Sequence, residues 1–292
     1  MRSHAMTKIV LPALLIVLVA AAGALAWHGP GHDQLTTAAV KGLPKDMPAF
    51  FAAGVETIAH VSQDPDLFRL PDQPELRDAE VPEHFFDIEL LEGAEPPATR
   101  SAFVQLCAKK GIDPAKVGFL PYQITEWTQR LALAFAECRK WPENKAVQAK
   151  CLVYAGLLAH YAQDACQPLH TTIHYDGRVG ADGKSPRSGV HARLDALIAT
   201  PPVHAAEYAV KVSAFDKLLP AVWKEIQASH ALVGKVYELE KDIPAEGKPA
   251  EVKAVADFIA ERRAAATSFT ASLYLTAWTH SATLALPEWD KR

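Results

Sequence analysis

Hydrophobic residues recur at helical spacing along most of this chain. Phe51, Val55 and Ile58 share one face of a run from Phe50 to Gln63. Asp33 can cap a preceding helix, Gln34 to Leu43, which Gly42 and Pro44 close. Further helical runs cover Ser101–Lys110, Pro121–Lys140 and Lys145–Ala165; the second is long and amphipathic. Another begins near Val203 and is interrupted near Pro220, and a last one spans Ala250 to about Leu286. Pro71–Pro82 and Glu92–Pro97 read as surface loops, and Lys241–Pro249 as a charged hinge. No window alternates with strand period between turn residues. The pattern predicts an all-α fold of roughly eight to ten helices in one domain.

The amino terminus departs from that pattern. Arg2 and Lys8 precede an apolar run from Ile9 to Ala22, and Ala24-Leu25-Ala26 is an A-x-A cleavage site. The run is short for a membrane span of ~20 residues. Residues 1–26 therefore read as a secretory signal cut after Ala26, leaving 27–292 to be secreted or periplasmic. Cleavage exposes the α-amine of Trp27, a nitrogen ligand once deprotonated.

The formal charge of −4 becomes −6 without Arg2 and Lys8, so bulk electrostatics do not favour duplex nucleic acid. A phosphodiester could still bind if metal ions supply the positive charge. Four cysteines in an exported chain suggest two disulfides. A helix from Cys151 to Cys166 separates its ends by ~22 Å, too far for a bridge. Cys138–Cys151 across the Trp141–Lys145 turn, with Cys107–Cys166, is the expected pairing. No phosphate-binding glycine loop or nucleophile elbow is present.

The chemistry concentrates between Cys151 and Leu197. His160 and Asp164 lie four apart on a helix and so share a face; His191 and Asp195 repeat the spacing. Gln167-Pro168 ends the first helix, and His170 follows at once. Two His/Asp pairs with a linking His are the ligands zinc takes when thiolates are absent. Upstream stand His32, Asp64 or Asp66 in a polar turn, and His84 with Asp87. His28, His60, His204, His230 and His280 belong to no motif.

This ordered set resembles the superfamily of zinc-dependent phospholipases C and mung-bean-type single-strand-specific nucleases. The resemblance rests on the new amino-terminal Trp27, on H-x-x-x-D-x-x-Q-P-L-H from His160 to His170, on HFFD from His84 and on H-x-x-x-D from His191. It implies an all-α phosphodiesterase domain over 27–292 that holds three zinc ions and acts as a monomer without a stable protein partner. One zinc would take Asp66, His84, His160 and Asp164. A second would take the Trp27 amine and carbonyl, His32 and the other oxygen of Asp164. The third would take His170, His191 and Asp195. Asp66 is preferred to Asp64 because Asp66-Leu67-Phe68-Arg69 resembles the nucleases' Asp-x-x-Arg. The catalytic assignment falls on Asp66 and Asp164.

Water between two zincs ionises near neutral pH, and the hydroxide can attack phosphorus in line. Asp87 could orient a ligating His. The WHGPGH spacing and Asp195 resemble the nucleases, which implies cleavage of single-stranded nucleic acid to 5′-phosphorylated products. PRSGVHARLD lacks the nucleases' Gly-Gly-Asn before its His, so a phospholipase C acting on phospholipid stays open. Phe68, Phe85, Phe86 and Phe119 could line an apolar rim for it. A non-catalytic zinc-binding protein is the reading from a different class.

Overall fold

The computed structural model describes residues 29–200 and 211–291. The expectations for the signal segment, Trp27, His28 and His204 lie outside these, as does the helix start near Val203.

The described chain is all-helical. Its α-helices are α1 (Gly29–Lys41), α2 (Ala49–Ala53), α3 (Val55–Val61), α4 (Asp64–Leu67), α5 (Pro74–Glu80), α6 (Arg100–Lys110), α7 (Pro114–Val117), α8 (Leu120–Lys140), α9 (Lys145–Asp164), α10 (Val190–Ile198), α11 (Leu218–His230), α12 (Val233–Leu239) and α13 (Lys253–Ser281). Short 3-10 turns cover Val81–His84, Ile88–Leu91 and Pro168–Thr171.

Helices α8, α9 and α13 pack on one another, and α1 and α3 close over α9. Aromatic rings join the layers: Phe51 lies 5.3 Å from both Phe135 and Tyr274. The Tyr274 hydroxyl donates to Ala155 O at 2.9 Å, so even this buried phenol is satisfied. Asn144 starts α9 by accepting from the backbone N–H of Ala146 and Val147. Gly156 explains how closely α3 approaches α9. A Cβ there would stand 2.6 Å from Val61 Cβ and 2.7 Å from Ile58 O.

Several elements differ from the sequence reading. Asp33 lies inside α1 rather than capping it, because the chain is already helical from Gly29. Pro71–Pro82 is not all loop: Pro74 opens α5, where its missing N–H costs nothing, and good helix formers follow. Pro220 sits in the first turn of α11 and for the same reason does not interrupt it. All four cysteines are buried free thiols, so neither expected disulfide is formed. The Cys166 thiol instead points to Ala162 O and to the Glu225 carboxylate, each 3.4 Å away.

Candidate metal centre

The last two turns of α9 carry His160, Gln163 and Asp164, all fully buried. Gly156, one turn earlier, lets α3 come close enough for Ser62 O to accept from His160 Nδ1 at 2.8 Å. The same close packing brings α1 across, and the His32 and His160 rings stack with centroids 4.0 Å apart. His84 arrives from the 3-10 turn after α5. Gly118 holds that turn: its φ of +96° suits glycine, and a Cβ there would meet Phe85 O at 2.0 Å. Phe119 N and Leu120 N then donate to Pro82 O and Phe85 O.

Three groups of candidate ligand atoms result, each spanning no more than 4.8 Å: His32, His160 and Asp164; Asp66, His84 and His160; and His170, His191 and Asp195. Asp164 faces two of them. Its Oδ1 lies 3.7 Å from His32 Nε2, while Oδ2 lies 3.0 Å from His84 Nδ1 and 3.4 Å from His160 Nε2. Asp66 Oδ1 is 3.8 Å from His160 Nε2. Asp64 stands in none of the three groups. In the third group, His170 Nε2 and His191 Nε2 are 3.1 Å apart, and His191 Nε2 is 3.1 Å from Asp195 Oδ2.

The tautomers can be assigned from the partners. His32 Nδ1 donates to Gln163 Oε1 at 2.6 Å, and His160 Nδ1 to Ser62 O at 2.8 Å. His170 Nδ1 donates to His84 O at 2.8 Å, and His191 Nδ1 to Tyr175 O at 3.1 Å. A neutral imidazole has one N–H, so the rings of His32 and His160 turn a bare Nε2 lone pair toward Asp164, and His170 turns one toward His191 Nε2. The Nε2 atoms of His170 and His191 stand 3.1 Å apart, a spacing that needs a cation or a proton between them. His32 Nε2, Asp66 Oδ2, Asp164 Oδ1 and Asp195 Oδ2 are buried without any hydrogen bond. Such a concentration of acceptors is costly in a dry interior and fits a metal cation.

Burial holds the imidazoles of His32, His84, His160 and His170 below their ordinary pKa, so they stay neutral and free to ligate. Burial also pulls His191 down, but Asp195 outweighs it and raises that ring. The carboxyls of Asp66 and Asp164 are raised by burial.

Residues outside the expected ligand set also serve the site. Glu80 Oε1 lies 3.2 Å from His84 Nε2 and accepts from the Tyr161 hydroxyl. Besides Asp164, the carboxylate that reaches His84 is therefore Glu80 and not Asp87. Its signal was the four-residue spacing from Glu80 to His84, hidden inside a presumed loop. Gln163 was visible as a polar residue within an apolar helix, and Gln167 stood in the motif that ends it. Arg69 donates to Asp66 Oδ1, and Arg77 in turn donates to Arg69 O. Of the expected aromatic rim, Phe86 is fully buried in the core. Leu67, Leu70 and Leu76 are exposed instead, at 57%, 49% and 44%.

No protein-family profile and no curated protein matches the chain. Among solved structures it is similar to Alpha Toxin from Clostridium Absonum, with 14% sequence identity and a TM-score of 0.47. The match covers 89% of this chain and 66% of that one.

Proposed function

We propose that this protein is a trinuclear zinc phosphodiesterase that cleaves single-stranded nucleic acid and leaves 5′-phosphorylated products. The observation that carries the metal reading is the convergence of the Nε2 atoms of His32, His160 and His191 on buried carboxylates, with His170 Nε2 facing His191 Nε2 and each ring fixed by an Nδ1–H donated to oxygen. Asp66, His84, His160 and Asp164 would hold one ion. Trp27, His32 and Asp164 would hold a second, and His170, His191 and Asp195 a third. A nitrogen-rich donor set with carboxylates and no thiolate favours zinc over magnesium or calcium. Zinc in such sites supplies Lewis acidity toward phosphoryl oxygens and acidifies water.

The chain's own residues do the rest. Asp164 offers one oxygen to each of two groups and so sets their separation. Arg69 steadies Asp66 and adds positive charge beside the site. The nuclease reading is supported by the WHGPGH spacing and by Asp195. Exposed Leu67, Leu70 and Leu76 around Asp66 and Arg69 favour a second reading, phospholipid cleavage.

The test is elemental analysis of purified protein with assays on bis-p-nitrophenyl phosphate, single-stranded DNA, RNA and phosphatidylcholine. About three zincs and preference for single strands are expected. Hydrolysis of phosphatidylcholine alone would move the assignment to the phospholipid reading. Three zincs without any hydrolysis would make the protein a metal carrier, and metal-free protein that hydrolyses the ester would overturn the metal reading.

A further inference from the structure

Two glutamines lie four residues apart at the end of α9 and just beyond it, and both are fully buried. A buried amide costs stability unless its hydrogen bonds are made, and an apolar side chain would fill either position more cheaply. Both are bonded, with opposite polarity. Gln163 presents its oxygen to the site: Oε1 accepts from His32 Nδ1 at 2.6 Å, while Nε2 donates to Thr36 Oγ1 at 2.8 Å. His32 and Thr36 are one turn apart on α1, so this single amide grips both. Gln167 presents its nitrogen: Oε1 accepts from Leu169 N, which fixes the amide's orientation, and Nε2 donates to Asp195 Oδ1 at 2.8 Å.

The consequences at the two groups differ. Accepting from Nδ1–H keeps His32 in the tautomer whose bare Nε2 faces Asp164. Donating to Oδ1 occupies one oxygen of Asp195 and leaves Oδ2 toward His191, where it has no hydrogen bond. We propose that Gln163 and Gln167 are positioning residues for two different metal ions: Gln163 sets the tautomer of His32, and Gln167 selects the ligating oxygen of Asp195. The proposal rests on the metal reading above.

The near-isosteric change to glutamate separates the two roles. Gln163→Glu keeps an acceptor for His32, and the Thr36 hydroxyl can turn to donate to it. Gln167→Glu replaces the donor to Asp195 with a second negative acceptor. Zinc affinity is measured by competition with a chromophoric chelator on mature protein, with far-ultraviolet circular dichroism to establish folding. Gln167→Glu should weaken one zinc by about 10–100-fold, the usual effect of removing a ligand's hydrogen-bond partner. Gln163→Glu should hold its zinc as the wild type does, whereas Gln163→Met should lose affinity as Gln167→Glu does. If the two glutamate variants behave alike, or Gln163→Met keeps full affinity, the positioning roles are wrong while the metal reading stands. Wild-type protein that binds no zinc would remove both.

Discussion

The core-facing residues of α9 and the polar residues of its last turns are equally buried and are held in opposite ways. Cys151, Ala155 and Leu158 face the apolar body built with α8 and α13, where removal of hydrocarbon from water supplies the stability. On the last turns of the same helix His160, Gln163 and Asp164 are just as inaccessible, but burial works against each of them. They persist because each polar atom has a partner or faces another ligand atom. One helix thus joins a region that stabilises the protein to a region that is stabilised by it. The apolar half tolerates changes that the polar half does not, and conversely.

The largest expected effect strikes the apolar half alone. Phe135→Ala removes a ring packed against Phe51 and Trp278 and should cost about 3–5 kcal/mol in denaturant unfolding. The zinc content and specific activity of the folded fraction should not change. Loss of zinc in folded Phe135→Ala protein would show that the two halves are not separable.

Asp164→Asn strikes the polar half. It keeps the shape but removes the charge that faces two groups, and activity should fall by at least ~100-fold. Asp195→Asn should do less, since His170 and His191 remain. Chelation should lower the wild-type melting temperature and do so less in Asp164→Asn, because metal binds the folded state. If Asp195→Asn is the more damaging while Asp164→Asn keeps three zincs, Asp164 does not join two groups.

Gly156→Ala sits at the junction. Its methyl would press on Val61 and on Ile58 O, and overpacking of this kind costs about 1–3 kcal/mol. Because α3 also carries the chain to Ser62, the variant should lose zinc affinity as well as stability. Unchanged affinity with lowered stability would place Gly156 wholly in the apolar half.

A separate, pH-dependent effect concerns Asp87, which belongs to none of the three groups. Burial, with Glu89 adding to it, pushes its carboxyl up to about 8. An unfolded aspartate titrates near ~4, so between these values only the folded state keeps the proton. Stability from this group therefore falls as pH rises through that window. Asp87→Asn should raise the melting temperature near pH 8, with the gain shrinking toward pH 4. A gain independent of pH would rule out this titration as its cause.

Local periodicity was enough to read the all-α class, the ends of α6, α8 and α9, and the shared faces of His160 with Asp164 and of His191 with Asp195. Those features depend on residues within one or two turns of each other, and 3.6-residue geometry is the same in any context. The proline and acid positions between Asp64 and His84 misled the loop assignment. There Pro74 begins a helix and Glu80, not Asp87, reaches His84. The cysteines misled as well, since spacing along the chain does not say where a thiol points. Only the tertiary structure decided that Asp66 rather than Asp64 stands beside His160, that His32 stacks on it, and that Gln163 and Gln167 face the groups with opposite ends of their amides. The physical reason is range. A helix is closed by bonds four residues apart, whereas these contacts join residues 28 to 131 positions apart and exist only once α1, α4 and α10 have packed around the end of α9.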